Sequence, residues 1–380
     1  MIYFNCAATA MQRPPCVAEA VTAAMNQMGN ISRGVSEAEL TGARGVYGTR
    51  VKCARLFHFP HPERVVFTAN VTEALNISLF GLIKPGDHVI ATDWDHNSVL
   101  RPLYALERQG VMLDFLHADR QGNLDLDELE KKLQKTTAYV VCTQASNLTG
   151  NLLDVAAVSQ LAHEYGAKVI LDAAQTAGCR PVDMGELGAD VLCFTGHKGL
   201  MGPQGTGGMC VGPDVEIQPL LMGGTGVQSY LEEMPHEYPT RLEAGTLNGP
   251  GLAGLGAAID YVMAVGPDAI HEKEMNLMKH FLNGVKGIPQ VKLFGDFSQD
   301  RAAIASLNIG EFSSAEVADC LYVEYGIATR AGAHCAPRMH RALGTEKQGA
   351  VRFSFGWFNT IEEVERAVEA VRCIAEEWSS

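Results

Sequence analysis

The feature that most constrains this chain is an alternation running from about residue 64 to 212. Short β-branched runs at 64–68, 88–92, 112–116, 137–143, 168–172, 190–195 and 208–212 read as strands. Helical patterns at 72–83, 98–109, 126–134 and 155–165 fall between most of them. A parallel strand pair needs a crossover, usually a helix, so this order predicts an α/β domain with a mostly parallel, seven-stranded sheet. Nearly continuous apolar strands such as Val169-Ile170-Leu171 fit a sheet covered on both faces.

The last hundred residues change character. Helices are expected at 272–285, at 313–325 from a Ser313/Glu316 capping box to a stop at Gly326, and at 360–378 from a Thr360/Glu363 box. Short strands at 302–309 and 351–355 lie between them. This is an α+β pattern, and 380 residues exceed one ordinary core. The expected division is a large domain over 15–265 and a smaller one made of 1–14 and 266–380; no pattern of its own assigns 1–14.

A net charge of −14 argues against nucleic acid or an anionic membrane as partner. No run of about 18 apolar residues could span a bilayer, and Met1-Ile2-Tyr3-Phe4-Asn5 lacks the marks of a signal peptide. The expected location is the cytoplasm. The ten cysteines contain no CxxC pair, and those in apolar runs, such as Cys142 and Cys193, read as core thiols rather than a disulfide framework.

In open α/β sheets ligands bind beyond the carboxyl ends of the strands. Asp172 with Gln175, Thr195 with His197 and Lys198, Asn147, Thr72 and His96 all follow the expected strands there. Taken singly, each has an ordinary explanation: a solvated lysine, helix caps at Asp172 and Thr72-Glu73, a structural histidine. Together they match what pyridoxal phosphate (PLP) requires. That cofactor needs a lysine amine for a Schiff base, a carboxylate facing the pyridine nitrogen, hydroxyls and helix amides for the phosphate, and a ring to stack on its face. Lys198, Asp172, Thr72 and His96 can fill these four roles. No metal site is expected, because Pro60 keeps His58 and His61 off a common helical face.

Three motifs extend the match. Leu171-Asp172-Ala-Ala-Gln175, Thr195-Gly-His197-Lys198-Gly and Arg241-Leu-Glu-Ala-Gly245-Thr246-Leu-Asn248 resemble the class V aminotransferases, and within them the cysteine desulfurase and selenocysteine lyase group. The resemblance runs from Asn5-Cys-Ala-Ala-Thr9 to Phe358-Asn359-Thr360. It implies a fold type I PLP enzyme and a homodimer. Lys198 would carry the cofactor, Asp172 would meet its ring nitrogen, Gln175 its phenolic oxygen, and His96 would stack on it. Thr72, Thr195 and His197 would bind phosphate, with Thr246 supplied by the partner subunit. Asn147 and Arg352 would bind the substrate carboxylate, alongside Arg330.

The loop Arg330-Ala-Gly-Ala-His334-Cys335-Ala-Pro337 resembles the active-site cysteine loop of the desulfurases, and its shortness is similar to their group II members. A thiolate can accept sulfur from a cysteine substrate, leaving alanine and a protein persulfide. Arg330 and His334 are the expected neighbouring cations that favour a thiolate. Group II loops carry two histidines before the cysteine; here the first position is Ala333. The implied activity is a cysteine desulfurase, with a small-molecule substrate and a sulfur-acceptor protein. Selenocysteine lyase, another class V aminotransferase-type enzyme, and a scaffold without activity stay open at this point.

Overall fold

The structure, a computed structural model, describes residues 1–29 and 36–378. The chain opens with a two-residue strand, β1 (Ile2–Tyr3), and two helices, α1 (Pro15–Gln27) and α2 (Glu37–Leu56). A capping box between Ser36 and Glu39 starts α2. The alternating region follows: β2 (Val65–Thr68), α3 (Val71–Leu82), β3 (His88–Thr92), α4 (Asn97–Glu107), β4 (Met112–Leu116) and α5 (Leu126–Lys132). It continues with β5 (Thr137–Thr143), α6 (Val155–Glu164), β6 (Lys168–Asp172), the short α7 (Met184–Leu187), β7 (Val191–Thr195) and β8 (Gly207–Val211).

Strands β2 to β8 form one seven-stranded sheet in the order β2-β8-β7-β6-β5-β3-β4. The pattern-based expectation of a mostly parallel sheet holds: only β8 runs antiparallel, against both β2 and β7. Apolar clusters cover both faces, which is why the central strands carry little alternation. Cys142 and Cys193 are buried in these clusters, and all ten cysteines are free thiols. Register aligns the strand ends, with Thr143 beside Asp172 and Asp172 beside Cys193.

A helix not expected from the sequence, α8 (Gly249–Val265), packs against α1 and α2. Glycine lowers helix propensity by about 1 kcal/mol, which hides this segment from pattern reading. The glycines are there for close approach: a Cβ on Gly256 would lie 2.6 Å from Thr49 Oγ1. Next comes α9 (Pro267–Val285), which starts earlier than expected because Pro267 occupies its first turn.

The remainder is β9 (Val291–Phe294), β10 (Ile304–Ile309), α10 (Ser314–Val323), β11 (Ile327–Ala328), α11 (Pro337–Leu343), β12 (Val351–Ser354) and α12 (Ile361–Glu377). Both capping boxes read from the sequence are present, at Ser313/Glu316 and Thr360/Glu363. Strands β12, β10 and β9 form an antiparallel sheet. It shares a core with α9, α10 and α12, and the N-terminus joins that core. β1 pairs in parallel with β11, and the Phe4 ring sits 5.1 Å from that of Phe355. Burying each large aliphatic or aromatic side chain here contributes about 1.5–3 kcal/mol. Among the described residues no helix is long and apolar enough to cross a membrane.

Candidate active site

The floor of the site is the carboxyl edge of β5, β6 and β7. Asp172 ends β6, is buried, and accepts the Ala174 N–H through Oδ1 at 2.9 Å. Lys198 follows β7 on the turn from Gly196 to Gly199. That turn passes so close to Ala177 that a Cβ on Gly199 would lie 2.6 Å from the Ala177 carbonyl oxygen. Burial lowers the Lys198 amine to about 8; Asp172 pulls it upward, while Arg352 and Arg330 lower it further and Cys335 raises it. Burial likewise raises Asp172, opposed by the Ala174 N–H and by Lys198. These shifts place Lys198 within electrostatic reach of Asp172, Arg330, Arg352 and Cys335.

His96 caps the N-terminus of α4 and accepts the Ser98 amide through Nδ1 at 3.0 Å. An accepting Nδ1 puts the ring proton on Nε2. Burial, then Lys198, lowers this imidazole to about 4, so it is neutral near pH 7. Ser98 Oγ lies 2.8 Å from both His96 Nδ1 and Thr72 Oγ1, joining the starts of α4 and α3. Asn70, not Thr72, caps α3. Thr195 Oγ1 is buried without a partner. His197 is held through Nδ1 by Thr9 Oγ1 at 3.1 Å, and Gln175 Nε2 donates to the Ala7 carbonyl at 3.2 Å.

The cysteine loop faces this floor from the other sheet. Arg330 pairs with Arg352 in an antiparallel bridge, and Arg330 Nη2 points at Cys335 Sγ from 3.8 Å. Arg352 is fully buried; its Nη1 donates to the Asn147 carbonyl at 2.6 Å, its Nη2 to Asn5 Oδ1 at 3.2 Å, and its Nε has no partner. The two guanidiniums thus meet a thiol and neutral oxygens rather than carboxylates. Asn147 Nδ2 donates to the His334 carbonyl at 2.7 Å, and Asn147 Oδ1 is buried and unpartnered.

His334 and Cys335 both adopt left-handed backbone, at φ of 50° and 56°. Such a conformation costs non-glycine residues about 1–3 kcal/mol each and persists only where the surroundings enforce it. The expectation that His334 is a cation beside the thiol is corrected. Its ring is buried, is engaged through Nε2 with the Ala350 carbonyl at 2.9 Å, and is driven down to about 2 by burial and Arg352. Arg330 is the cation at Cys335; His334 shapes the loop.

Thr246 is not brought to this cluster within the chain. It lines a separate groove with Glu73, Gly205 and Asn248. His58 and His61 bond apart from each other, to Asp183 and Glu63. Sequence reasoning gave no role to Asn5, Thr9 or Ser98. Ser98 was within reach, since it stands in the first turn of the helix that His96 caps; Asn5 depends on a contact 347 residues away.

The family model for aminotransferase class V matches residues 2–367. The chain belongs to that family. A probable cysteine desulfurase of Methanothermobacter thermautotrophicus is 34% identical to this class V aminotransferase family member, over 98% of this chain and 94% of its own length. Another from Pyrococcus abyssi is 34% identical over 96% and 92%. The apo cysteine desulfurase of Thermococcus onnurineus shares its fold with a TM-score of 0.92 at 32% identity, covering 99% of this chain and 95% of that one.

Class V aminotransferases are PLP enzymes, and the residues present fit that cofactor. A lysine whose amine is lowered to about 8 lies within electrostatic reach of a buried carboxylate with one oxygen uncommitted to Ala174. Beside it lie the partnerless Thr195 hydroxyl and the first turn of α3, whose amides suit a phosphate.

Proposed function

We propose that this protein is a PLP-dependent cysteine desulfurase that converts L-cysteine to L-alanine and holds the sulfur on Cys335 as a persulfide. The observation that carries this reading is the Cys335 thiol set 3.8 Å from Arg330 Nη2, within the electrostatic reach of Lys198. The thiolate is the form that attacks sulfur, and Arg330 is the charged side chain that faces it.

Bound through Lys198, the cofactor supplies an electron sink for bond breaking at the substrate. The chain does the rest. Asp172 would hold a proton at the ring nitrogen, and the neutral His96 ring would stack on the cofactor. Thr72, Thr195 and His197 would bind the phosphate, and Gln175 the phenolic oxygen. Arg352, with its free Nε, and Asn147 orient the substrate's carboxylate; Arg330 adds positive charge. Lys198 removes and returns a proton at Cα. Cys335 Sγ forms a bond to the substrate Sγ as the Cβ–Sγ bond breaks. L-cysteine and the thiol become L-alanine and the persulfide, with no outside oxidant or reductant.

A homodimer accords with two features. Thr246 lies away from Lys198 in its own chain, and the neighbouring segment exposes Met222, Tyr230 and Leu231. An acceptor protein would take the persulfide sulfur, and ten free thiols suit a reducing cytoplasm. We assign the cleft to the junction of 15–265 with 1–14 and 266–380.

The test is a product assay with L-cysteine and L-selenocysteine on wild type and Cys335→Ala. The reading requires that Cys335→Ala keep the cofactor's colour near ~420 nm while losing persulfide and alanine from cysteine. Full cysteine turnover by the variant overturns it. Selenocysteine activity that survives the substitution, with little on cysteine in wild type, identifies a selenocysteine lyase instead.

A further inference from the structure

A cavity of about 80 Å³ lies beside Lys198, walled by the first dozen residues, α9 and the segment after β12. Lys198 and Glu274 both line it. Two of its lining residues, Met1 and Met11, are 71% and 41% exposed, so its wall reaches solvent. A water needs about 10–15 Å³ of such space and polar partners, and this cavity offers room and partners for several.

Glu274 is only 8% exposed. Buried carboxyls are ordinarily matched by a cation. This one accepts the Trp357 N–H, and the ionisable groups that bear on it are two thiols, Cys6 and Cys179, with Lys273. Lys273 is turned over the Trp357 ring, 4.6 Å from its centroid. Cys179 feels both Glu274 and Lys198, which places the carboxyl and the amine within electrostatic reach of one thiol.

We propose that Glu274 is the group through which Lys198 exchanges its proton with solvent, across the cavity both side chains line. The inference rests on the PLP reading above and assigns a role to a residue outside the cluster around Cys335. Glu274 acts through Lys198, not on the substrate. After Lys198 takes the Cα proton, a proton leaves its Nζ for cavity water and water delivers one to the Glu274 carboxylate. The carboxyl releases it to solvent through the exposed part of the cavity wall, and the reverse sequence recharges the amine. No electrons move. Burial sets Glu274 and Lys198 both at about 8, so neither direction is strongly uphill. Burial pushes Cys6 up to about 12 and Cys179 higher, so the thiols keep their protons and do not compete.

The experiment uses holoenzyme, heavy water and L-alanine, and follows exchange of the alanine Cα hydrogen by nuclear magnetic resonance. This probe needs the cofactor and Lys198 but no sulfur transfer, so a failed desulfurase reading shows up separately, as absence of alanine from cysteine. Wild type should exchange the hydrogen. Glu274→Gln should exchange it severalfold more slowly with the cofactor absorbance unchanged, and Glu274→Asp should recover part of the rate. Ala10→Leu, which adds bulk at another residue of the cavity wall, should slow exchange as well, and decides the matter if Glu274→Gln does not fold. Equal rates in wild type and the folded variants, or no exchange in wild type, overturn the proposal.

Discussion

The backbone amide of Asn97 donates to the carbonyl of Cys335 at 2.8 Å. The helix that carries His96 therefore also holds the cysteine loop. Together with the bond from Asn147 Nδ2 to the His334 carbonyl, it fixes the two consecutive left-handed residues. Asn97 is the first residue of α4, where proline is tolerated, and His96 before it already has φ −69° and ψ 158°, as a residue preceding proline prefers. Asn97→Pro should therefore remove the donor and leave the helix intact. The expected outcome is a normal cofactor spectrum, a stability loss of about 1 kcal/mol in urea, and persulfide formation on Cys335 slowed severalfold in a single turnover.

Arg352→Lys keeps the charge and removes the fork. The guanidinium reaches the Asn147 carbonyl and Asn5 Oδ1 and still has Nε to spare, which one ammonium cannot match. Losing a charge-assisted bond of about 1.5–3 kcal/mol should raise KM for cysteine by roughly ten- to a hundredfold. Steady-state kinetics check it; an unchanged KM removes Arg352 from substrate binding.

His334 is neutral in the folded protein because burial drives it to about 2. An unfolded histidine titrates near ~6.5. Between those values the unfolded chain binds a proton that the folded chain refuses, so this contribution to stability is complete above about 6.5 and declines as pH falls. Asp95 and Glu274, raised to about 8, act in the opposite sense, losing their contribution as pH rises. The difference between wild type and variant isolates the histidine. In His334→Gln the loss of unfolding free energy per pH unit between about 6 and 4 should be smaller by about 1.4 kcal/mol. Parallel pH profiles of chemical denaturation contradict this.

Thr246 offers a test of assembly. If it completes the phosphate site of a second subunit, Thr246→Asp should weaken cofactor retention, and Lys198→Ala should abolish activity. Refolding the two inactive variants together should then restore activity, since one site of each mixed dimer has both native residues. No recovery places Thr246 in its own chain's site or in none.

The large sheet was legible because strands buried on both faces leave long apolar runs, and because chemistry collects at their ends. Asp172, Lys198, His96 and Thr195 stand within a few residues of those ends, so local pattern located them. What was not legible depends on distant contacts. β1 and β11 are two residues each, too short for any periodicity, and exist through each other. The helix α8 is rich in glycine for packing reasons that only its neighbours reveal. His334 was misjudged because loop composition says nothing of burial, and burial decides its charge. Glu274 sits in a helix with an ordinary amphipathic pattern, and the cavity it shares with Lys198 is visible only in three dimensions.

The N-terminal strand also bears on how the molecule is made. Residues 2–7 take their partners from 326–328 and 354, and Asn5 meets Arg352. During synthesis residues 2–7 leave the ribosome more than 300 residues ahead of 326–354 and must wait for them before they can pair. The sheet of β2–β8 can assemble meanwhile, since domains generally fold as units, N-terminal first. Closure of the cleft is then a late, long-range event, and such contacts form slowly. A nascent chain stalled before residue 350 should hold a folded sheet with Lys198 in place and no cleft to use it.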